Sequence, residues 1–157
     1  LDRIIASKSI KAEAYIGFWP CNSNNSDDII VYQDESKSTH MEHLELLGKA
    51  TKEVNTYLAL SDFIAPVDSE RIDYIGAFAV LQIGLEELVE EFKKDHDEFN
   101  ILLIKSLTDR LAEALAEKLH MEVRRQHWGY SQDEKLSIRE IINVEYKGIR
   151  PAAGYPT

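Results

Sequence analysis

The longest regular feature of this sequence is an amphipathic stretch from Asp97 to Arg125, and it constrains the fold more than any other. Apolar side chains recur along it at every fourth position, which is typical of one helix face. These side chains are Phe99, Leu103, Leu107, Leu111, Leu115, Leu119 and Val123, with Ile104 and Ala114 widening the stripe. About 29 residues at about 1.5 Å each give a helix of roughly 43 Å. The chain has 157 residues, the length of one domain, so we expect this helix to pack across most of a sheet.

Strand-forming residues dominate the first third of the chain. Residues 12–19 and 28–33 are predicted to form a hairpin, joined by a polar loop from Cys21 to Asp28, with Pro20 ending the first strand. Residues 72–81 are almost continuously apolar, so both faces of that strand should be covered. Gly76 within this strand indicates a bulge or a close backbone approach.

Shorter helices and turns complete the predicted elements. The helices cover residues 1–10, 39–51, 84–94 and 137–146, and residues 61–66 form a turn or a short strand. The last helix begins with a capping box, at Ser131 with Glu134 or at Ser137 with Glu140, and it ends at Gly148. Strands at the front and helices behind favour an α+β fold with a largely antiparallel sheet.

Charge and cysteine content exclude several classes of protein. The net charge of −10 argues against binding to nucleic acid or to an anionic membrane surface. Cys21 is the only cysteine, so no disulfide framework exists, and no apolar run could span a membrane. These features predict a soluble protein of the reducing cytoplasm. One local cationic group, Arg124, Arg125 and His127, either complements a helix dipole or docks a partner.

The segment from Gly148 to Pro156 has the sequence GIRPAAGYP and holds a charged and an aromatic side chain on a stiff backbone. Arg150 and Tyr155 each precede a proline, which favours extended backbone at both. Little conformational entropy then remains to lose when a ligand binds. An arginine suits a carboxylate or phosphate and a tyrosine suits a flat ring, although an ordinary C-terminal loop also fits these residues.

Several motifs in one order resemble the activation domain of cobalamin-dependent methionine synthase. The matching segments, from about residue 12 onward, are IGFWP (16–20), DDIIVY (27–32), LSDFIAP (60–66), DYIGAFAV (73–80), DRLAEA (109–114), WGY (128–130) and GIRPAAGYP (148–156). The family fold is α+β, a curved sheet with helices around it. Ala153 stands where a proline is common, and the family domain extends further at both ends, so residues 1–157 are expected to be a truncated activation domain.

The resemblance implies a binding site for S-adenosylmethionine. By pattern, Asp109, Glu113 and Glu117 form an acidic row typical of a solvated helix face. The resemblance singles out Glu113, whose family counterpart contacts S-adenosylmethionine, to accept from the ligand's ammonium or to hold a ribose hydroxyl. Arg150 would take the carboxylate through two parallel hydrogen bonds. Tyr155 would cover adenine or the corrin, or simply pack in the loop. Backbone groups of the segment would serve the adenine edge, at Pro151, Ala152, Gly154 and Tyr155.

Other chemistry is weakly supported by the sequence. His40 with His43 and His120 with His127 match no zinc motif and are expected on helix surfaces, while Trp19 and Trp128 are expected in the core or at its rim. No glycine-rich nucleotide loop or nucleophile pair is present, which disfavours an independent methyltransferase and makes the chain alone non-catalytic.

The function implied by the resemblance is reductive reactivation. In the family, this domain presents S-adenosylmethionine to cob(II)alamin held mainly by another domain of the enzyme. A flavodoxin-type donor supplies the electron, and methyl transfer restores methylcobalamin. The alternative is a module that docks a protein partner and binds no small molecule.

Overall fold

The computed structural model of the chain describes residues 2–45, 49–50 and 57–151. The chain divides into two compact units. The first consists of the described residues up to Tyr15 together with those from Ala79 onward, and the second runs from Ile16 to Phe78. Strands and helices occur together, so the α+β prediction is confirmed.

The described residues form six strands and four α-helices. The strands are β1 (Lys11–Ser23), β2 (Ile29–Tyr32), β3 (His40–Leu44), β4 (Lys49–Ala50), β5 (Tyr57–Leu58) and β6 (Asp73–Ile83). The helices are α1 (Asp2–Ser7), α2 (Leu85–Lys94), α3 (Glu98–Glu122) and α4 (Ile138–Ile142), with 3₁₀ turns at Leu60–Phe63 and Val67–Ser69 and a π turn at Val123–His127. Four strands make a sheet in the order β3-β2-β1-β6. No helix in the described part of the chain is long and apolar enough to cross a membrane.

The predicted hairpin is present, but its first strand continues beyond the proline. Strands β1 and β2 pair in antiparallel fashion, with Cys21 opposite Val31 and Ser23 opposite Ile29. Pro20 lies inside β1, so the prediction that it ends the strand is wrong. The pairs between β1 and β2 begin only at Cys21. The missing N–H group of Pro20 therefore removes no hydrogen bond from this ladder.

The segment predicted as a helix over 39–51 begins instead with strand β3. Residues His40–Leu44 pair with β2 in antiparallel register, and all five side chains are exposed. A short polar segment has no apolar face with which to pack as a helix, so pairing with β2 decides its structure. His40 and His43 therefore lie on a strand, with their rings stacked and their centroids 6.1 Å apart.

The apolar strand β6 is less covered than its sequence predicts. None of its residues is buried, and Leu81 and Ile83 are 50% and 44% exposed. It ends the strand order of the sheet among the described residues, and an edge strand has a neighbour on one side only. The expectation that both faces are covered is wrong, and β6 runs through Gly76 without interruption.

Each unit has its own core. In the second unit, Cys21, Ile29 and Val31 are buried together, with Trp19, Ile64 and Ile75 packed against them. Asn22 is also fully buried in this unit, and its amide donates to the carbonyl oxygens of Ala65 at 2.9 Å and Arg71 at 2.8 Å. In the first unit, α2 packs on α3 through Leu88, Val89, Ile101 and Ile104.

The long helix is present, but the apolar stripe predicted along it is only partly buried. Helix α3 is capped by Asp97, whose carboxylate accepts from the Asn100 amide at 3.0 Å. Phe99 and Leu103 are 73% and 53% exposed. Each step of four residues advances about 40° around a helix, so seven residues spaced in this way cannot stay on one face. The buried residues of α3 are Ile101, Ile104, Thr108, Leu119 and His120.

The last helix is shorter than predicted, while its start is correct. Ser137 caps α4 in a capping box with Glu140, which settles the choice between the two serines. The helix ends at Ile142 rather than near 146, and Val144 has a left-handed φ of 60°. A β-branched residue with this φ cannot continue a right-handed helix. Helix α1 likewise covers only part of residues 1–10.

Candidate functional site

Helix α3 and the π turn that follows it carry four polar or charged residues on one face. Glu113, Glu117, His120 and Arg124 are spaced by three or four residues, and such residues lie one above another on a helix. Exposure falls along the row: Glu113 is exposed, Glu117 is half-buried, and His120 and Arg124 are buried. The acidic row predicted from the sequence is therefore solvated at Asp109 and Glu113 and only partly at Glu117.

Arg150 contacts this face at Glu117. Its Nη2 donates to Glu117 Oε1, and the two side chains are 24% and 36% exposed. Arg150 Nε and Glu117 Oε2 are buried and have no hydrogen-bond partner in the described part of the chain. Glu113, one turn earlier on the helix, pairs with Arg110 Nη1 at 2.8 Å.

Arg124 lies at the centre of a buried network. Its side chain is fully buried, and its Nε and Nη2 donate to the two carboxylate oxygens of Glu134, each at 2.7 Å. Nη1 donates to His120 Nδ1 at 2.8 Å. The guanidinium carbon lies 4.2 Å from the centre of the Tyr146 ring. The paired charges and the bidentate geometry compensate for burying the cation.

The same network keeps His120 neutral. Burial, followed by the charges of Arg124 and Arg150, lowers the pKa of His120 to about 4. The bidentate contact with Arg124 lowers the pKa of the Glu134 carboxyl below its ordinary value. A neutral imidazole can accept a hydrogen bond from Arg124 Nη1 at Nδ1, as the geometry requires. The expectation that His120 lies on a helix surface is wrong, because this residue faces the network.

Arg124 is not available to dock a partner, which is one of the two roles that the sequence predicted for the local cationic group. Docking needs an accessible side chain, whereas complementing the helix dipole does not. Arg124 is enclosed, whereas Arg125 and His127 are exposed. Its partner Glu134 lies ten residues further along the chain, beyond the π turn, at a position that the sequence predicts only as part of a capping box. Helical spacing could not reveal this pair.

Contacts at Tyr146 and the backbone conformation of Gly148 set the course of the segment from Tyr146 to Arg150. The Tyr146 ring packs edge-on against the His120 ring, with centroids 4.8 Å apart. Gly148 has a left-handed φ of 97°, and a Cβ there would lie 2.6 Å from Tyr130 Oη. Only glycine fits such a position. Pro151 is exposed, and the predicted site residues Ala152, Gly154 and Tyr155 lie outside the described residues.

Two cavities border these elements in the first unit. One, of about 380 Å³, is lined by residues 130–136 and 145–147, next to the network. The other, of about 400 Å³, is lined by residues 10–12, Gln82, Leu111, Ala114, Leu115 and Lys118. At about 100° per residue, its α3 residues lie on the opposite side of the helix from Glu113 and Glu117. The second cavity is therefore separate from the candidate site.

The ligand implied by the resemblance carries a carboxylate and an ammonium. Its carboxylate needs a cation, and its ammonium needs an acceptor. Arg150 and Glu117 bring one of each together, and each retains a polar atom without a partner in the described residues. No group of three or more His, Cys, Asp or Glu side chains in the described ranges could hold a metal ion.

Comparison with known proteins identifies the family of this chain. The whole chain, residues 1–157, matches the family described as vitamin B12 dependent methionine synthase, activation domain. The fold superposes with a TM-score of 0.88 on a crystal structure of the MetH reactivation domain bound to AdoHcy, at 41% sequence identity. The match covers 99% of this chain and 48% of that chain, so the chain spans about half the length of the solved protein. The chain belongs to the activation-domain family of vitamin B12 dependent methionine synthase.

Proposed function

We propose that this chain binds S-adenosylmethionine and positions it for the reductive methylation of cob(II)alamin. The observation that carries this proposal is the likeness to a reactivation domain that was solved with S-adenosylhomocysteine, the demethylated form of that ligand. At 41% identity over almost the whole chain, the likeness extends beyond the fold to the sequence. The placement of Arg150 on the acidic face of α3 is consistent with it.

Within this site, Arg150 binds the carboxylate of the ligand's methionine part. Glu113 accepts from the ammonium or from a ribose hydroxyl, and its exposed side chain and single ion pair with Arg110 leave it accessible. Backbone groups at Pro151, Ala152 and Gly154 serve the adenine edge, and Tyr155 covers a ring. These roles are supported by the resemblance of the GIRPAAGYP and DRLAEA motifs.

In the complete protein, this domain acts together with a cobalamin domain of the same enzyme, a methyltransferase that makes methionine from homocysteine. S-adenosylmethionine supplies the methyl group from its sulfonium, and a flavodoxin-type protein supplies the one electron that the cobalt needs. The role of this chain is to bind and orient the nucleoside, because orientation is what a domain without a nucleophile contributes.

We place the protein in the cytoplasm. Cys21 is the only cysteine, and it is fully buried in the second unit. Burial, with a smaller contribution from the Asp73 carboxylate, raises the pKa of its thiol to about 12. A single unreactive thiol suits a reducing compartment, where disulfides contribute nothing to stability.

Calorimetry on the complete protein tests the proposed function. Titration with S-adenosylmethionine should show saturable binding, and Arg150→Ala should weaken it by about 2–4 kcal/mol because a charged ligand group is left unpaired. Arg139→Ala is the matched control, because Arg139 is an exposed arginine on α4. Absence of binding to the unaltered protein would contradict the proposed function. Equal affinity of the Arg150→Ala variant would contradict the role of that residue.

A further inference from the structure

The segment that carries Arg150 is held by an aromatic ring as well as by the pair with Glu117. Tyr146 lies four residues before Arg150, and its ring contacts His120 on α3 and Arg124 in the π turn that follows. The Arg124 guanidinium lies over the ring face at 4.2 Å, and the His120 ring meets it edge-on at 4.8 Å. A guanidinium over an aromatic face is attractive, most strongly where water is excluded.

The partner of this ring is itself immobilised. Three nitrogens of Arg124 are hydrogen bonded, two to Glu134 and one to His120, and the side chain is fully buried. Arginine keeps its charge at every pH at which the protein is folded. The guanidinium is therefore a fixed flat platform rather than a mobile surface cation.

The backbone between the ring and Arg150 has little freedom. Tyr130 Oη donates to the carbonyl oxygen of Lys147 at 3.2 Å. The same hydroxyl closes the space around Gly148, whose φ of 97° sets the direction of the chain. Two residues later, Arg150 reaches Glu117 on the same face of α3. The position of the Arg150 guanidinium is thus determined by contacts that begin at Tyr146.

We propose that Arg124 and Tyr146 are positioning residues for ligand binding, which act through Arg150 without touching the ligand. Their contact fixes residues 147–150 on α3. The Arg150 guanidinium is therefore already held in the position where it binds the carboxylate of an amino-acid nucleoside. Preorganisation of this kind raises affinity because the loop loses no further freedom on binding. This inference rests on the proposed function.

A double-mutant cycle in the complete protein tests the coupling. Tyr146→Leu removes the ring and should weaken S-adenosylmethionine binding by about tenfold, in line with a desolvated cation–π contact. The conservative Tyr146→Phe keeps the ring and should restore binding. In an Arg150→Ala background, Tyr146→Leu should have less than about a twofold effect, because residues that act through one another are not additive. Equal effects in both backgrounds would overturn the proposal.

A second measurement separates positioning from general stability. Val89→Ala, in the α2–α3 core, is the matched control that lowers the melting temperature without touching the segment. The affinity of the Val89→Ala variant for S-adenosylmethionine should equal that of the unaltered protein. If Val89→Ala loses as much affinity as Tyr146→Leu, the effect of Tyr146→Leu is due to global destabilisation and the proposal is overturned. Without ligand, Tyr146→Leu should speed hydrogen exchange at the amides of residues 147–150 and leave α2 unchanged. Unchanged exchange at 147–150 would also overturn it.

The outcomes also distinguish this inference from the proposed function. If the unaltered protein binds no S-adenosylmethionine, the proposed function is wrong, although the exchange experiment still tests the contact. If Arg150→Ala weakens binding and Tyr146→Leu does not, only the positioning role is wrong.

Discussion

The guanidinium of Arg150 bonds to the carboxylate of Glu117 and not to that of Glu113, which lies one helical turn earlier and pairs with Arg110. Both acids are on the same face of α3, so the arginine reaches the helix beside Glu113. The pair with Glu117 does not use every donor of Arg150, and the buried Nε has no partner in the described residues. Glu117 is therefore an anchor for the arginine, and Glu113 is the accessible acid.

Glu117→Gln should loosen this anchor. The pair is partly exposed, so the expected loss of unfolding free energy is only about 0.5–1 kcal/mol. Affinity for S-adenosylmethionine should fall several-fold, because the Arg150 guanidinium is no longer held. Thermal unfolding and calorimetry measure the two effects. Tighter binding would show instead that Glu117 competes with the ligand's carboxylate for Arg150.

Breaking the buried ion pair should destabilise the first unit strongly. Arg124→Met leaves Glu134 without its partner, although that side chain is only 7% exposed. The expected cost is about 3–5 kcal/mol, the range for one partner removed from a buried pair. The double variant Arg124→Met with Glu134→Leu should recover part of that loss, because no unpaired charge remains. Chemical denaturation gives the free energies, and a double variant as unstable as the single one would contradict this account.

His120 should make stability depend on pH. Its pKa is lowered to about 4 in the folded protein, below the ordinary value of 6.5. The unfolded chain therefore binds more protons between these values, and stability should be full above about pH 6.5 and fall as the pH drops towards 4. The loss is at most about 3 kcal/mol. The groups that face the ring are Arg124, Glu134, Tyr146 and Arg150.

The matched variant for this pH dependence is His120→Gln, because glutamine can still accept from Arg124 and does not titrate. Denaturation at a series of pH values should show a weaker dependence in the variant between pH 6.5 and 4. Parallel curves for the two proteins would assign the dependence to other groups.

Gly148→Ala should disturb the segment before Arg150. The substitution forces an alanine into a left-handed conformation and brings its Cβ to 2.6 Å from Tyr130 Oη. The conformational strain alone costs about 1–2 kcal/mol. Gly129→Ala is a suitable comparison, because φ is 77° there and the nearest atom, Gln132 Nε2 at 3.2 Å, belongs to a flexible side chain. Melting temperatures should rank Gly129→Ala above Gly148→Ala, and Tyr130→Phe should rescue the latter in part.

Cys21 should resist alkylation in the folded protein. The thiol is fully buried and its pKa is raised to about 12, so almost no thiolate exists at pH 8. Iodoacetamide followed by mass spectrometry should modify the chain only after denaturation. Rapid modification of the native protein would contradict the burial of this residue.

The sequence predicted those elements whose signals are local. The β1–β2 hairpin, α2 and one of the two alternative capping boxes, Ser137 with Glu140, are present because turn residues, helical period and capping pairs act within a few residues. The extent of the long helix was also close, from Glu98 to Glu122 with the π turn after it. The buried face of this helix was not predicted correctly. Residues spaced by four drift around the helix, because one turn contains about 3.6 residues.

Features that depend on distant partners could not be predicted in this way. Part of the segment expected to be a helix at 39–51 forms strand β3 instead, because it pairs with strand β2. The burial of His120 and Arg124 depends on Glu134 and Tyr146, which no helical period connects to α3. For the candidate site, the motifs identified Arg150 and Glu113, while the contact with Glu117 became visible only when the segment was placed on the helix. The ligand roles of the six site residues remain predictions.

The π turn at Val123–His127 has a consequence for how this part of the chain can vary. Its wider ring, with the Trp128 amide bonding to the Val123 carbonyl at 2.9 Å, accommodates one residue more than an α turn would. Deleting one residue here would swing the departing chain by about 100° and carry Glu134 away from Arg124. The extra residue of the π turn thus sets the direction from which the chain returns Glu134 to Arg124.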